Sequence, residues 1–281
     1  MPEKLPQIRT VFGVDFSGAA LAGRNAWVAQ CEVDGERLNL IDLSPLEKLA
    51  GTAERAPALA HLVSLIRASH ESLWGMDFPF GLPIELGWKD WPDQLRFVSE
   101  WKTPASGFGN ECVARCKAAT GSLHVKRQTD VETRTPFDCH HYRIIHQTFH
   151  GMRDVLVPLS TDDRTCVLPY QVDGLALAER VVVEACPSST LKRMKLPHTR
   201  YKQPQGELED KHRATRKAIL AGLRSLIDLT PAHVRTMNAN GGGDAYDAVI
   251  AAIGSWHAWQ GLDVDLLKSH KRYRREGYVF A

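Results

Sequence analysis

The sequence lacks the features that place a chain in a membrane or in the secretory pathway. Its 281 residues contain no run that approaches the roughly 18 apolar residues of a membrane span. Residues 1–6 lack the apolar core of a signal peptide, so we expect none. Six cysteines in a chain of this length suggest reduced thiols and not a disulfide framework. We therefore expect a cytoplasmic protein with no membrane partner.

The sequence also lacks an excess of charge of either sign. Its formal net charge is +2, so the overall charge favours no particular partner. Hydrophobic residues make up 43% and charged residues 24% of the chain, which is ordinary for a globular protein. The length allows one large domain, or a core domain with a substantial insertion. The oligomeric state does not follow from the composition.

Acidic residues recur at the ends of apolar segments. Three such segments end in an acid that a turn containing Gly, Pro or Ser follows: residues 11–14 before Asp15, 72–76 before Asp77, and 180–183 before Glu184. Near-continuous apolar runs are typical of strands that are buried on both faces of a sheet. Asp15 alone is equally well explained as a cap of the turn that follows it. Because ligands of open α/β sheets bind at the carboxyl ends of strands, we expect the three carboxylates to converge.

The periodicity of the first 86 residues predicts the element order β-β-β-α-β. Strands over residues 26–33 and 38–43 flank the dipeptide Asp34-Gly35, which is a strong hairpin signal. An amphipathic helix is expected over residues 53–69. A helix between two strands usually makes a parallel crossover, so the next strand should lie parallel to the first.

The remaining elements predict how the domain is organised. A helix is expected over about residues 207–227, and a last helix over about residues 244–260. We predict one α/β domain over residues 8–262, with helices on both faces of a mixed sheet and the order β-β-β-α-β-…-β-α. Its parts are a core of residues 8–86 and 176–262, a large and mostly helical insertion of residues 87–175, and a basic C-terminal tail of residues 263–281.

The last predicted helix adds two further acids. Asp244 and Asp247 are three residues apart and share one helical face. Acids at a helix N-terminus stabilise the helix dipole, which alone would explain them. The three glycines at 241–243 indicate in addition a close approach of backbone or ligand. Gly13 and Gly75 face the same side of the sheet as the acids two residues later. We expect them to leave room for a closely packed helix; the alternative is that each glycine marks a bulge.

Together these acids indicate a metal site. Clustered carboxylates would repel one another and raise one another's pKa values without a cation. Mg²⁺ and Mn²⁺ prefer carboxylate and water oxygens. Two such ions can activate a water molecule and stabilise the leaving oxygen in phosphodiester hydrolysis. The candidate catalytic residues are Asp15, Asp77, Glu184, Asp244 and Asp247.

Several blocks of the sequence resemble a known family. The blocks are the β-β-β-α-β opening with Asp15, residues 76–83 (MDFPFGLP), residues 183–187 (VEACP) and residues 243–248 (GDAYDA). They are similar to a family of unknown function, domain of unknown function 429, whose members are predicted to be RNase H-like nucleases. The resemblance covers most of the chain and is weakest between residues 88 and 170.

The resemblance implies an RNase H-like fold and a metal-dependent activity. In that superfamily an Asp of the first strand and acids of a late helix bind two metal ions. Asp15, Asp244 and Asp247 match these positions, and Glu184 or Asp77 would complete the site. The expected ligands of Mg²⁺ or Mn²⁺ are thus Asp15, Glu184, Asp244 and Asp247, with Asp77 as the alternative to Glu184. The fold also supports other chemistries, so the resemblance does not fix the reaction.

Basic residues suggest where a substrate phosphate would bind. Lys126, Arg127 and Arg134 lie in a polar part of the insertion, and Ser17 follows the first acid. They are candidate substrate-binding residues for a nucleic acid. The competing interpretation for the three basic residues is a solvated loop. The basic tail has the same two interpretations.

The insertion is also rich in Cys and His. Cys112 and Cys116 precede His124, and residues 139–150 contain a Cys and four His. No pair has the CxxC spacing of a structural zinc site, which weighs against zinc. His146 and His150 lack the Glu of an HExxH motif, because Gln147 stands in its place.

The function that these observations favour is a metal-dependent nuclease. One alternative is a non-catalytic nucleic-acid-binding or scaffold module. The retention of all five acids argues against this alternative. Another is an actin- or hexokinase-like phosphotransferase acting on a small molecule. The turn at residues 15–18 is similar to the phosphate turn of those proteins. They carry two copies of the fold, however, and this sequence predicts only one set of strands.

Overall fold

The structure is a computed structural model that describes residues 5–281. Within this range eight strands form one mixed sheet in the order β5-β6-β4-β1-β2-β3-β7, and β8 pairs with β6. The strands are β1 (Thr10–Asp15), β2 (Trp27–Asp34), β3 (Arg37–Pro45), β4 (Ser72–Met76), β5 (Thr165–Val167), β6 (Arg180–Ala185), β7 (Ile227–Asp228) and β8 (Val279–Phe280).

The α-helices of the described range are α1 (Ala22–Asn25), α2 (Leu46–Ala50), α3 (Arg55–Ala68), α4 (Trp91–Glu100), α5 (Ala105–Thr120), α6 (Gln128–Glu132), α7 (Ile145–His150), α8 (Val157–Leu159), α9 (Pro187–Arg193), α10 (Asp210–Leu223), α11 (Pro231–Ala239), α12 (Asp244–Gln260), α13 (Val264–Ser269) and α14 (Tyr273–Glu276). A π-helical stretch, Gly151–Leu156, joins α7 to α8. Short 3₁₀ turns span Ile84–Leu86 and Val172–Leu177.

The opening of the chain confirms the predicted element order. β1, β2 and β3 form an antiparallel meander, and β4 returns parallel to β1 after α3. The hairpin between β2 and β3 turns at Asp34-Gly35, where Gly35 has a φ of +60°. β6 then continues the sheet parallel to β4. The short helices α1 and α2 add to the predicted order without changing it.

Two apolar cores lie on the two faces of the sheet. On one face α3 and the insertion pack against Val14, Trp74 and Val182. On the other face α12 and α10 pack against Val11 and Leu73 together with their neighbours. Successive residues of one strand enter different cores, because strand side chains alternate. Helices thus cover both faces, as the sequence predicts.

Helix α12 lies unusually close to the sheet at two glycines. A Cβ atom at Gly13 would lie 2.0 Å from the carbonyl oxygen of Ala248. A Cβ atom at Gly75 would lie 2.0 Å from Oγ of Ser255. No side chain fits at either position, which confirms the prediction that these glycines make room for a closely packed helix. The start of α12 is thereby brought to the carboxyl ends of β1 and β4.

The structure corrects the prediction for the end of the chain. Residues 263–281 do not form a free basic tail, because they fold into α13, α14 and β8, and β8 pairs with β6. Glu276 is fully buried there and binds the guanidinium of Arg272, with Nη2 2.8 Å from Oε2. Part of the basic charge is thus paired inside the fold.

Other differences concern short elements. The sequence predicts five strands, whereas β5, β7 and β8 add two or three residues each. Such short strands carry no readable periodicity. β5 belongs to the insertion, which therefore extends the sheet as well as adding helices. The helix predicted over residues 207–227 is shorter, Asp210–Leu223.

Within residues 5–281 no helix has the length and apolar character to cross a membrane.

Candidate metal centre

Three carboxylates from three separate elements converge at the carboxyl edge of the sheet. Asp15 ends β1, Asp77 directly follows β4, and Asp247 lies in the first turn of α12. One oxygen of each lies within 4.8 Å of the others. We call these three residues the carboxylate cluster. Its oxygens are close enough to share a hard cation.

Strand register explains why Asp15 and Asp77 meet. Val14 is paired with Met76 in the parallel β1–β4 ladder, and the N–H of Asp77 donates to the carbonyl of Val14 at 2.9 Å. The next residue on each strand therefore points to the same face of the sheet. That face is the one on which α12 packs, and α12 carries Asp247.

The electrostatics of the cluster disfavour three negative charges. Burial, together with the neighbouring Asp247, raises the pKa of Asp15 well above its ordinary value. The same two causes raise the pKa of Asp77 to about 8. The carboxylates thus require protons or cations nearby to remain together.

Lys202 and Tyr201 supply part of this compensation, and neither residue is expected from the sequence. The ammonium of Lys202 forms an ion pair with Asp247, and the hydroxyl of Tyr201 donates to Oδ1 of Asp247 at 2.6 Å. Burial alone would lower the pKa of Lys202, but Asp247 and Asp15 outweigh it and raise that pKa. The two residues lie in an irregular segment without a motif, so no sequence signal pointed to them.

Arg216 fixes the loop that carries Tyr201 and Lys202. Its buried guanidinium donates to the carbonyl of Tyr201 at 2.7 Å. It also donates to the carbonyls of Asn240 and Gly241, both at 2.9 Å. One side chain therefore ties the Tyr201 loop to the glycine-rich turn before α12. This restricts where Lys202 and the acids of α12 lie relative to each other.

The glycine-rich turn is shaped by close contacts. Gly243 caps α12 with a φ of +86°, a conformation that favours glycine. A Cβ atom there would lie 2.8 Å from Cγ of Lys202. The turn thus admits the Lys202 stem beside α12, in agreement with the predicted close approach.

Asp244 lies at the edge of the cluster. It lines the same cavity, but it is not among the three mutually close carboxylates. Nδ2 of Asn240 donates to its Oδ2 at 3.2 Å, and burial raises its pKa. The structure thus places Asp244 beside the cluster.

Glu184 is placed differently from the expectation for a metal ligand. In the β4–β6 ladder it is paired with Met76, so its side chain points to the face opposite Asp77. There Nη1 of Arg127 donates to its Oε2 at 2.8 Å, and the N–H of Phe80 donates to the same oxygen at 2.9 Å. Asp77, not Glu184, completes the cluster. The sequence alone does not fix the register that separates them.

Three of the four candidate substrate-binding residues also differ from expectation. Arg127 is buried and held by Glu184 and Asp130, so it is neither a solvated loop residue nor free for a phosphate. Lys126 is exposed and donates to the carbonyl of Thr135 at 2.5 Å. Neither Lys126 nor the exposed Arg134 is among the residues that line the cavity, whereas Ser17 lines it.

The cluster opens into a cavity of about 310 Å³. We call it the carboxylate cavity. Its far wall comes from the insertion and includes Phe137, Ile144 and Gln147. Two cations, Arg127 and Lys202, line it against six carboxylates, namely Asp15, Asp77, Asp130, Glu184, Asp244 and Asp247. The cavity is therefore strongly acidic, and its donor set fits hard divalent cations.

The cysteines of the insertion do not form a metal site. Cys112, Cys116 and Cys139 are buried in the apolar core beneath the insertion, and burial raises the pKa values of the Cys112 and Cys139 thiols. His150 binds Asp154, with Nδ1 2.7 Å from Oδ2.

Comparison with known proteins adds no relative. No family model, no curated protein and no solved structure matches this chain. The resemblance noted in the sequence therefore stays a prediction, and the geometry of the site is what bears on function.

Proposed function

We propose that this protein hydrolyses phosphodiester bonds with Mg²⁺ or Mn²⁺ bound at the carboxylate cluster. The observation that carries the proposal is the convergence of Asp15, Asp77 and Asp247, which lie within 4.8 Å of one another. They come from two strand ends and one helix start, so the fold holds them in place. Only oxygen ligands are present, and such ligands suit these two cations.

The charge of the cavity gives the second argument. Six carboxylates and two cations line it, so a phosphate group would be repelled from the protein alone. Bound divalent cations would reverse this local charge. When bound, two such ions supply an activated water and stabilise the leaving oxygen of the substrate. An acidic cavity is therefore compatible with a phosphate substrate only when it is loaded with metal.

Different residues of the chain would bind the ions, bind the substrate phosphate and orient the ligands. Asp15, Asp77 and Asp247 would hold the ions, and Asp244 would complete the ligand set from the edge of the cluster. Lys202 would leave Asp247 when a cation takes its place, and its ammonium could then donate to a substrate phosphate. Tyr201 orients Asp247 through its hydroxyl. Ser17 lies at the cavity wall, where a hydroxyl can bind a phosphate oxygen.

We further propose that the fold belongs to the RNase H-like class. The supporting observation is the order β-β-β-α-β followed by β6 and the late helix α12. Asp15 and Asp247 occupy the positions that this resemblance assigns to metal ligands. Nucleic acid is accordingly the proposed polymeric substrate.

A second candidate is hydrolysis of a small phosphorylated molecule. The volume of about 310 Å³ and the wall formed by Phe137 and Ile144 favour it, since they confine the space above the cluster. Pockets of this size bind small ligands. A single-stranded end of a nucleic acid would fit the same confinement better than a duplex.

The test is Mn²⁺-dependent cleavage of a substrate panel by the wild type and Asp15→Asn. The panel contains single-stranded and duplex DNA, RNA, an RNA–DNA hybrid, a four-way junction and a generic phosphodiester such as bis-p-nitrophenyl phosphate. The matched control is Asp163→Asn, at an exposed acid outside the cavity. We expect the wild type and the control to cleave at similar rates. Asp15→Asn should lower the cleavage rate at least a hundredfold. Cleavage that Asp15→Asn retains, or no cleavage of any substrate, would contradict the proposal.

A further inference from the structure

A second group of metal-ligand side chains lies in the insertion, outside the carboxylate cavity. One ligand atom each from His124, Asp138 and His140 lies within 4.8 Å of the other two. His124 is half exposed, whereas Asp138 and His140 are buried. The group joins the loop after α5 to the turn before α7, two segments separated in sequence.

The spacing of these atoms suits tetrahedral coordination. Nδ1 of His124 lies 3.1 Å from Oδ2 of Asp138, and Nδ1 of His140 lies 3.3 Å from Oδ1. Zinc bonds of about 2.0–2.2 Å at tetrahedral angles hold neighbouring ligand atoms roughly 3.3 Å apart. The two histidine nitrogens thus flank the Asp138 carboxylate, one at each oxygen, at about the spacing of zinc ligands.

The hydrogen-bond partners of His140 also favour a bound cation. Its Nδ1 faces the Asp138 carboxylate, and its Nε2 lies 3.3 Å from the carbonyl oxygen of Leu123. Both oxygens are acceptors, and a neutral imidazole has a single N–H to offer. In the neutral form of the ring, one nitrogen therefore faces an oxygen acceptor without a proton between them.

A cation at Nδ1 removes this mismatch. The single proton then lies on Nε2 and is donated to Leu123, while Nδ1 and the carboxylate both face the cation. Metal-binding histidines commonly donate their other N–H to a backbone carbonyl, which fixes the ring and its tautomer. The carbonyl of Leu123 is placed for this role.

We propose that His124, Asp138 and His140 bind one Zn²⁺ ion, with solvent at the fourth position. Two imidazoles and a carboxylate are ligands that zinc accepts. The exposure of His124 leaves the site open on one side. This site is independent of the carboxylate cluster and of the activity proposed for it.

The site would organise one wall of the carboxylate cavity. Arg127 and Asp130 follow His124 in sequence, while Phe137 precedes Asp138 and Ile144 follows His140; all four line the cavity. A zinc ion at the three ligands would fix the two segments to each other. It would thus hold the insertion over the carboxylate cluster.

The test is a zinc titration of metal-free full-length protein in competition with a chromophoric chelator. It is performed in an Asp15→Asn background so that the carboxylate cluster is impaired. We expect one tightly bound Zn²⁺ per chain and at least tenfold weaker binding after His124→Ala. His257→Ala, at an exposed position on α12, serves as the matched control and should leave the affinity unchanged.

Cobalt substitution gives a second readout for the buried ligand. Co²⁺ bound at the site should show the intense visible absorption of tetrahedral coordination, and His140→Ala should abolish it. Circular dichroism shows whether each variant is folded. If His140→Ala does not fold, the test rests on the result for His124→Ala. Absence of zinc binding in the background protein, or an affinity unchanged by His124→Ala, would overturn the proposal.

Discussion

Arg127 and Glu184 form an ion pair inside the protein, with Nη1 2.8 Å from Oε2 and both side chains almost fully buried. Asp130 binds the same guanidinium, with its Oδ1 2.8 Å from Nη2. Burial raises the pKa of Glu184, and the Arg127 guanidinium opposes this shift. The pair therefore joins β6 to the insertion and keeps Glu184 out of the carboxylate cluster.

Removing Arg127 should destabilise the fold strongly. Arg127→Met leaves two buried carboxylates without their cation, and breaking such a pair costs about 3–5 kcal/mol. Urea unfolding followed by circular dichroism measures the change. Arg134→Met, at an exposed position in the same segment, is the control and should change the free energy of unfolding by less than about 0.5 kcal/mol. Equal stability of Arg127→Met and the wild type would refute this structural role.

Gly13→Ala tests the close packing of α12 on the sheet. The added methyl group would lie 2.0 Å from the carbonyl oxygen of Ala248, so the helix must move away. Overpacking of this kind costs about 1–3 kcal/mol or more, and the displaced Asp247 should bind Mn²⁺ more weakly. Gly174→Ala is the matched control, since nothing lies within 4 Å of its Cβ position. Thermal unfolding should separate the two variants clearly.

The stability of the metal-free protein should depend on pH through Asp77. Its pKa is raised from 3.8 to about 8 in the folded state, so between these values the folded chain holds a proton that the unfolded chain has lost. Stability therefore falls as pH rises through this range. Asp77→Asn removes the charge and should raise the melting temperature at pH 8, in chelator, by about 2–4 °C. At pH 5 the two proteins should differ less. A lower melting temperature of the variant at pH 8 would contradict the assignment.

Lys202 should compete with a divalent cation for Asp247. Its ammonium forms an ion pair with that carboxylate, and replacing it by an uncharged side chain increases the negative charge of the cluster. Lys202→Met should therefore bind Mn²⁺ several-fold more tightly than the wild type, as measured by calorimetry. Lys202→Arg keeps the charge and serves as the control. Weaker binding in Lys202→Met would show that the lysine supports the ion and does not replace it.

Much of the fold was predictable because its core elements carry strong periodic signals. The boundaries of α12 and the hairpin at Asp34-Gly35 agree with the predictions from sequence. Gly13 and Gly75 also indicated the helix packing, since strand alternation places them beneath Asp15 and Asp77. These inferences need only local patterns.

The parts that the sequence did not reveal depend on long-range contacts. Glu184 and Asp77 look equivalent as acids at strand ends, and only the register of β4 and β6 shows that they face opposite sides. Lys202 lies in a segment without periodicity, and Arg216 places it through bonds to backbone carbonyls. The strand β8 is two residues long, too short for its pairing with β6 to leave a pattern.

Calorimetric titration with Mn²⁺ shows whether Asp15, Asp77 and Asp247 bind a divalent cation. The titration uses wild type, Asp15→Asn and the control Asp163→Asn, each in a His124→Ala background so that the insertion site does not contribute. We expect Mn²⁺ to bind to the background protein and to the control, and Asp15→Asn to lower the affinity at least tenfold. Equal affinities in all three proteins, or no binding to any of them, would contradict this expectation.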